Sequence, residues 1–480
     1  MSYIKYIILI LFVLMVNEAN SQIDKLDRSK PPKSKPPKDV VFPDYYDTTL
    51  PNGINLLVIQ NYKIPSVSIR LVFKDAGSFH DDGNPGIASI TSELLTKGTK
   101  NRSAIQIADD VDFYGASLSS GSDWDGGYVS LSCLKKHLDK VIDVLADVVL
   151  NPVFSEEEIN RLKEQRISSI IQGKSEPSVL SDKLFNKIVF GKFPYSQPAE
   201  GTEESIKVLT KEQIQDFYTK HFCPNNLLMA FVGAISVDEA LQIVNDKFQN
   251  WINNCSKEEQ KQYEIHSDFS TKKVYIADKT EAVQSNIRIG HIGIARNNPD
   301  YIAVTVMNTL LGGYFGSRIN YNLREKHGFT YGARSSFSAR TYAGDFSVDA
   351  DVRNEVTDSS ITLIIEELQR IVTEQVTDEE LQMVKNYLTG IFPLQLETAN
   401  AVATRVINLK LYGLPKDYYS RYISNILKLT KDDILNAARK YINPDNIYII
   451  ISGNSKDIKE KMKKFGDVEI YDSDGNIIQN

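Results

Sequence analysis

Two stretches of this chain repeat one plan. LTKEQIQDFYTKHFCPNNLLMAFVG, from Leu209, aligns without a gap on LTKDDILNAARKYINPDNIYIIISG, from Leu429. Thr210 meets Thr430, Pro224 meets Pro444, Asn226 meets Asn446 and Gly233 meets Gly453, all at an offset of 220. Each copy reads as a helix capped by threonine and stopped at proline, then an apolar strand ended by glycine. Upstream, FSEEEINRLKEQ at Phe154 aligns on VTDEELQMVKNY at Val376 at an offset of 222. Ser155 and Thr377 are the predicted caps there, with acids in the first turn where the helix dipole favours them. Two separate blocks at nearly one offset make the chain a duplication, and restrict it to folds with two like halves.

Within each half, strands come first and long helices follow. INLLVIQ (54–60), VSIRLVFKDAG (67–77) and ASLSSGSDWDGGYVSLSCL (116–134) read as strands, and KHLDKVIDVLADVVL (136–150) as a helix. KKVYIAD (272–278) and NIRIGHIGI (286–294) open a comparable series. This order predicts an α+β fold: two duplicated α+β halves, each a mixed or antiparallel sheet covered by helices. The expected divisions are an N-terminal half at 46–252, a polar linker at 253–272, a C-terminal half at 273–470 and a tail at 471–480.

The N-terminus has a different character. An apolar run over 6–16 follows Lys5 and leads to Ala19-Asn20-Ser21, the pattern of a signal peptide over 1–21. The run is too short for a membrane span, so export to the periplasm or outside the cell is expected, with membrane contact only if the leader stays uncleaved. Residues 22–45 contain RSKPPKSKPPKD, a Pro/Lys-rich tether that cannot form a core. The net charge of −7 includes +3 from residues 22–39, which leaves −10 on the rest and argues against nucleic acid. Three cysteines, Cys133, Cys223 and Cys255, show no metal spacing and leave room for one disulfide whose pairing the sequence does not give. Cys133 and Cys223 read by default as small buried hydrophobes.

One stretch carries candidate chemistry. In LREKHGFTYGA (323–333), a helix ending near Gly328 would let the chain turn and bring Arg324 and Tyr331 to one point. A planar fork of donors beside a phenol suits a carbonyl oxygen gaining negative charge. The same residues also suit an ion pair on a solvated helix and the start of a strand.

GIASITSELLTKGT (86–99), NPVFSEEEINRLKEQR (151–166), GTEESIKVLTKEQIQDFY (201–218) and LGGYFGSRINYNLREKHGFTY (311–331) together resemble the pitrilysin and insulinase family of zinc metallopeptidases, in the mitochondrial processing peptidase branch. The resemblance spans roughly residues 46–460 and implies two similar α+β halves forming a clamshell. It also implies a zinc site in the first half and a substrate-binding arginine and tyrosine, matched here by Arg324 and Tyr331. The family's zinc motif is HxxEH, two histidines one helical turn apart and a glutamate that activates water. The corresponding positions 89–93 read Ser89, Ile90, Thr91, Ser92 and Glu93, so both histidines and the catalytic glutamate are missing. The third ligand, a glutamate expected near 168–171, is also missing; Glu164 is the nearest acid upstream. Ser89, Ser92 and Glu93 are thus degenerate metal-site positions, and no metal is expected on this chain. His80, His137, His221, His266, His291 and His327 form no i, i+4 pair, and the HDD at 80–82 reads as a loop carrying solvated charge.

The resemblance implies a zinc-free, non-catalytic subunit of a heterodimeric metallopeptidase. It would lend Arg324 and Tyr331 as a substrate clamp to a zinc-bearing homologous subunit that hydrolyses peptides. No cofactor is expected on this chain, no catalytic residue of its own, and zinc only in the partner. A strand near 115–125 is expected to offer its edge to an extended peptide. The other reading is a structural or peptide-binding scaffold of the same family with no part in catalysis.

Overall fold

The computed structural model describes residues 41–253, 255 and 273–479. The expected signal peptide, most of the tether, most of the linker and His266 lie outside the described residues.

The first sheet contains β1 (Tyr46–Thr49), β2 (Asn55–Gln60), β3 (Ser66–Phe73), β4 (Ser117–Ser122), β5 (Gly127–Leu134) and β6 (Leu227–Gly233), in the order β1-β2-β6-β3-β5-β4. The second contains β7 (Lys273–Asp278), β8 (Gln284–Ile292), β9 (Ala333–Ala339), β10 (Gly344–Arg353), β11 (Tyr448–Gly453), β12 (Asp467–Tyr471) and β13 (Ile477–Gln479), ordered β13-β12-β7-β11-β8-β10-β9. Five strands of each sheet, β2-β6-β3-β5-β4 and β7-β11-β8-β10-β9, follow one scheme. β2 and β6 run parallel, as do β7 and β11, and the remaining core ladders are antiparallel. The α+β class and the duplication are therefore borne out. Residues 477–479, within the expected tail, form β13 beside β12.

The helices that matter below are α1 (Ile87–Leu94), α2 (Glu156–Gly173), α3 (Pro177–Phe190), α4 (Lys211–His221), α5 (Tyr301–Asn308), α6 (Arg318–Asn320, continued by π-helical turns to Lys326), α7 (Asp378–Ile391), α8 (Ala399–Leu411) and α9 (Lys431–Tyr441). The predicted caps form: Thr210 Oγ1 accepts from Gln213 N–H at 3.3 Å and Thr430 Oγ1 from Asp433 N–H at 3.2 Å. Ser155 and Thr377 cap α2 and α7 in the same way. The repeat also extends to a lysine. Lys163 Nζ donates to the carbonyls of Lys207 and Leu209, and Lys385 Nζ to those of Leu427 and Leu429. In each half this ammonium satisfies carbonyls left open just before the next helix cap.

Two helices cross between halves. α3, from the first half, packs on β8 and β11 of the second sheet; α8, from the second half, packs on β3 and β6 of the first. Phe185, Val189 and Phe190 of α3, with Tyr195 in the turn after it, thus bury Tyr448 and Ile450, while Val402, Val406 and Ile407 bury Leu57, Leu228 and Val232. Each fully buried aliphatic or aromatic side chain stabilises by about 1.5–3 kcal/mol, so these crossed faces bind the halves firmly. They also explain β6 and β11, LLMAFVG and YIIISG, which are buried along their whole length because both sheet faces are covered.

Cys133 and Cys223 are both buried, as the default reading has it, but Cys223 is not a plain hydrophobe. Cys223 is bonded to Cys255, with Cα atoms 5.9 Å apart, and ties the end of α4 to the start of the linker. Cys133, buried in β5, is the free thiol.

Candidate functional site

The degenerate metal positions lie on α1, which starts after Gly86 in the left-handed region at φ 92°. A Cβ on Gly86 would stand 2.9 Å from the Glu200 carbonyl oxygen, so glycine is required on both counts. Ser89 and Ser92 are buried, and Ser92 Oγ has no hydrogen-bond partner among the described residues. The group that comes to these positions is a cation of the protein itself. Arg166, on α2, forms an ion pair with the Glu93 carboxylate through Nη2. Its Nη1 donates to Ser89 Oγ at 2.9 Å and to the Glu200 carbonyl at 3.4 Å, and Ser89 Oγ donates to Glu93 Oε1 at 3.4 Å.

This donor set does not fit zinc. It holds one carboxylate, already neutralised by a guanidinium, and serine hydroxyls, which are poor zinc ligands beside thiolate or neutral imidazole. No group of three or more His, Cys, Asp or Glu side chains able to share a metal ion occurs among the described residues. Glu164 is exposed on α2. Arg166 carries no signal as a third ligand, because the position implied by the resemblance is an acid at 168–171 and Arg166 is a cation outside it. The usable signal was a cation two residues earlier, on the face of α2 that packs against α1. At the repeat offset of 222 its counterpart is Leu388, buried on α7, so only the first half keeps a polar group there.

At 80–82, Asp82 is exposed as expected but Asp81 is not. Asp81 is buried rather than solvated and holds the N-terminus of α1, accepting from Gly86 N–H at 2.8 Å and Ala88 N–H at 3.1 Å. Burial pushes its carboxyl up to about 8; the two N–H groups oppose the rise and Asp82 adds to it. In the second half, burial likewise pushes Asp345 up to about 6, against the opposing charges of Arg340 and Arg288. A carboxyl that keeps its proton longer in the folded state favours folding at low pH and loses that contribution as pH rises through its folded value. Asp81 alone should cost up to about 1.4 kcal/mol per pH unit between about pH 4 and pH 8. Urea midpoints are expected to be higher at about pH 5.5 than at pH 8, with a flatter profile in Asp81→Asn. Equal slopes in the two proteins would contradict the assignment.

In the second half, α5 runs through π-helical turns to Gly313, a turn follows, and α6 carries Arg324. Gly312 permits a close approach: a Cβ there would stand 2.4 Å from the backbone N of Ser335 in β9. Asn320 fixes the other side, donating from Nδ2 to the Phe315 carbonyl at 2.6 Å and accepting from Ala333 N–H at 3.0 Å. α6 stops as the sequence predicts, at Gly328 with φ 64°; Gly328 N–H donates to the Arg324 carbonyl and Phe329 N–H to that of Leu323.

The Arg324 guanidinium lies over the exposed Phe315 ring at 4.4 Å, with Nη1 3.4 Å from Glu325 Oε1. Tyr331 sits at the apex of a turn closed by Thr330, whose Oγ1 donates to the Gly332 carbonyl and accepts from its N–H. Its side chain is 93% exposed, two residues before β9 begins. No hydrogen bond or ring contact joins Arg324 to Tyr331 among the described residues. The two are held on neighbouring turns, both at the surface. Phe315, which supports Arg324, was not singled out from the sequence; an aromatic residue inside a glycine-rich turn was the available signal.

β4 ends the first sheet, paired on one side with β5 and, among the described residues, unpaired on the other. Its burial alternates along SLSSGS, leaving a strand edge able to accept an extended chain.

The insulinase model of peptidase family M16 matches residues 56–203, and the peptidase M16 inactive-domain model matches residues 209–388. A Helicobacter pylori protein named non-peptidase homolog YmxG is 24% identical over 402 residues, which cover 83% of this chain and 91% of that one. An uncharacterized zinc protease of Streptomyces coelicolor is 26% identical over 400 residues, covering 82% and 86%. The solved peptidase M16 inactive domain from Pseudomonas fluorescens superposes with a TM-score of 0.80 at 25% identity, covering 85% of this chain and 98% of that one. A protease from Helicobacter pylori, 18% identical, shares the fold with a TM-score of 0.78 over 85% and 99%. Matched by family models over residues 56–203 and 209–388 and folded as solved members are, the chain belongs to the insulinase family of peptidases, M16, as a member without the zinc motif.

Proposed function

We propose that this chain is the zinc-free, non-catalytic subunit of a heterodimeric metallopeptidase, and that it lends Arg324 and Tyr331 as a substrate clamp to a zinc-bearing homologous subunit. The observation that carries this reading is the contrast between the two sites. Arg166 fills the degenerate metal positions and is itself largely buried, whereas Arg324 and Tyr331 stand at the surface on turns fixed by their neighbours. The match to the M16 inactive domain and the non-peptidase name of the Helicobacter pylori relative favour inactivity of the chain alone. Zinc and its activated water would come from the partner, and the free edge of β4 suits an extended peptide. Export is supported by the N-terminal sequence and by the Cys223–Cys255 disulfide, which persists in oxidising compartments.

The purified chain is expected to cleave neither unfolded protein nor short peptides, and to generate chelator-sensitive activity when combined with a homologous chain carrying HxxEH. Chelator-sensitive cleavage by the chain alone would overturn the proposal. The scaffold reading has one observation in its favour: Arg324 rests on Phe315 and does not reach Tyr331. Unchanged turnover on removing both side chains would select it.

A further inference from the structure

The hairpins β4–β5 and β9–β10, each carrying an edge strand of its sheet, turn at residues 123–126 and 340–343, and the two turns are counterparts in the duplication. Each is fixed to its own half. In the first, Asp123 N–H donates to the Gly126 carbonyl at 3.0 Å, while Ser78 and Phe79 N–H donate to the carbonyls of Asp123 and Trp124 at 2.9 and 3.1 Å. Gly77 permits this approach, since a Cβ there would stand 2.4 Å from the backbone N of Gly126. In the second, Arg340 N–H donates to the Ala343 carbonyl at 3.2 Å and Arg296 N–H to that of Arg340 at 2.8 Å.

The two turns meet each other with complementary chemistry. Asp125, only 7% exposed, accepts from Thr341 N–H of the second half at 3.0 Å through Oδ2, and from the Tyr195 hydroxyl of its own half at 2.7 Å through Oδ1. The Arg340 guanidinium enters a cage of first-half rings, 4.0 Å from Trp124, 4.8 Å from Tyr195 and 5.3 Å from Phe190. Its counter-charge, Asp345, lies in its own half at 3.4 Å. Phe79 and Tyr342 stack across the same boundary with ring centroids 4.1 Å apart.

The crossed helices α3 and α8 also join the halves, but through apolar faces, and apolar burial is non-directional. A hydrogen bond to a buried carboxylate and a guanidinium held between rings demand one geometry. Parting the turns would take Thr341 from Asp125 and the rings from Arg340, leaving two desolvated charges with fewer partners. We propose that these turns form a latch that holds the two halves at one fixed angle, so that the clamshell of this chain does not open and close. On the heterodimer reading, and resting on it, room for a peptide then comes from movement of the partner subunit against this chain.

The test measures distances in the purified chain without a partner. Failure of the peptidase reading would show separately, as no activity in the reconstituted pair. Asp109→Cys and Glu379→Cys place spin labels at exposed helix positions, one in each half. Double electron–electron resonance is expected to give one narrow distance distribution, unchanged by an unfolded peptide. In Asp125→Ala a second distance should appear in about a tenth or more of the molecules, and likewise in Arg340→Met, which removes the charge from the ring cage. Should Asp125→Ala fail to fold, Arg340→Met carries the test. Two distances in the chain with Asp125 and Arg340 intact would overturn the proposal. So would a single narrow distance common to that chain and the latch variants, because the crossed helices alone would then set the angle.

Discussion

Arg324→Ala in the reconstituted pair is expected to lower kcat by about 100- to 1,000-fold, the loss seen when one donor to a developing oxyanion is removed. Tyr331→Phe removes a single hydroxyl and should fall in the same range. Neither change should disturb folding. Tyr331 is almost wholly exposed at its turn, and Arg324 contributes one cation–π contact with an exposed ring and a pair with an exposed acid. Such contacts contribute about 0.5–1 kcal/mol each at the surface. Assembly and the zinc content of the partner should therefore match the unsubstituted pair, with the loss in kcat rather than in complex formation. The Arg324–Phe315 stack predicts a further distinction. Phe315→Ala frees the guanidinium without removing it, and should reduce activity less than Arg324→Ala. Full activity of the Arg324→Ala, Tyr331→Phe double variant would sink the clamp.

Arg166→Leu is expected to destabilise the chain by about 2–4 kcal/mol, through the loss of charge-assisted hydrogen bonds and the stranding of their acceptors. The Arg166 side chain is 14% exposed and that of Glu93 32%, so the carboxylate recovers part of its hydration and the effect stays below that of a fully buried charge. The stranded groups are Glu93, the Ser89 hydroxyl and the Glu200 carbonyl, which join α1, α2 and the loop before the Thr202-capped helix. Arg166→Leu combined with Glu93→Leu should recover most of the loss, because replacing both partners leaves no charge unpaired. The two single variants should accordingly be non-additive when compared by denaturant midpoints. Additive losses would show that the pair is not the unit holding α1 to α2.

Most of the fold was legible because it depends on local patterns written twice. The threonine caps, the Pro stops and the apolar strands ending in Gly233 and Gly453 each follow from residues within a few positions of one another. The crossing of α3 and α8 was not legible, since an amphipathic helix records that it has an apolar face but not which sheet that face will cover. The same limit hid Arg166. It meets Glu93 across 73 positions of sequence, and its role depends on α1 and α2 lying side by side. The missing histidines were plain in the sequence, but the cation that answers Glu93 in their place required the fold. Asp81 was misread as solvated because HDD looks like a charged loop, whereas Gly86 and Ala88 fold back to present their N–H groups to it. Arg324 and Tyr331 were picked out by residue type and spacing, yet their separation onto two turns, and the support from Phe315, came from tertiary placement. The disulfide partner of Cys223 left no signal in the sequence.

Arg166 and Ser89 leave this chain without a zinc site of the family kind, and its metal content is the decisive measurement. The purified full-length chain, incubated with excess zinc and dialysed, should retain far less than one zinc per chain by elemental analysis, while a homologous chain carrying HxxEH and treated alongside retains about one. One tightly held zinc per chain that is lost in Glu93→Gln would contradict the account.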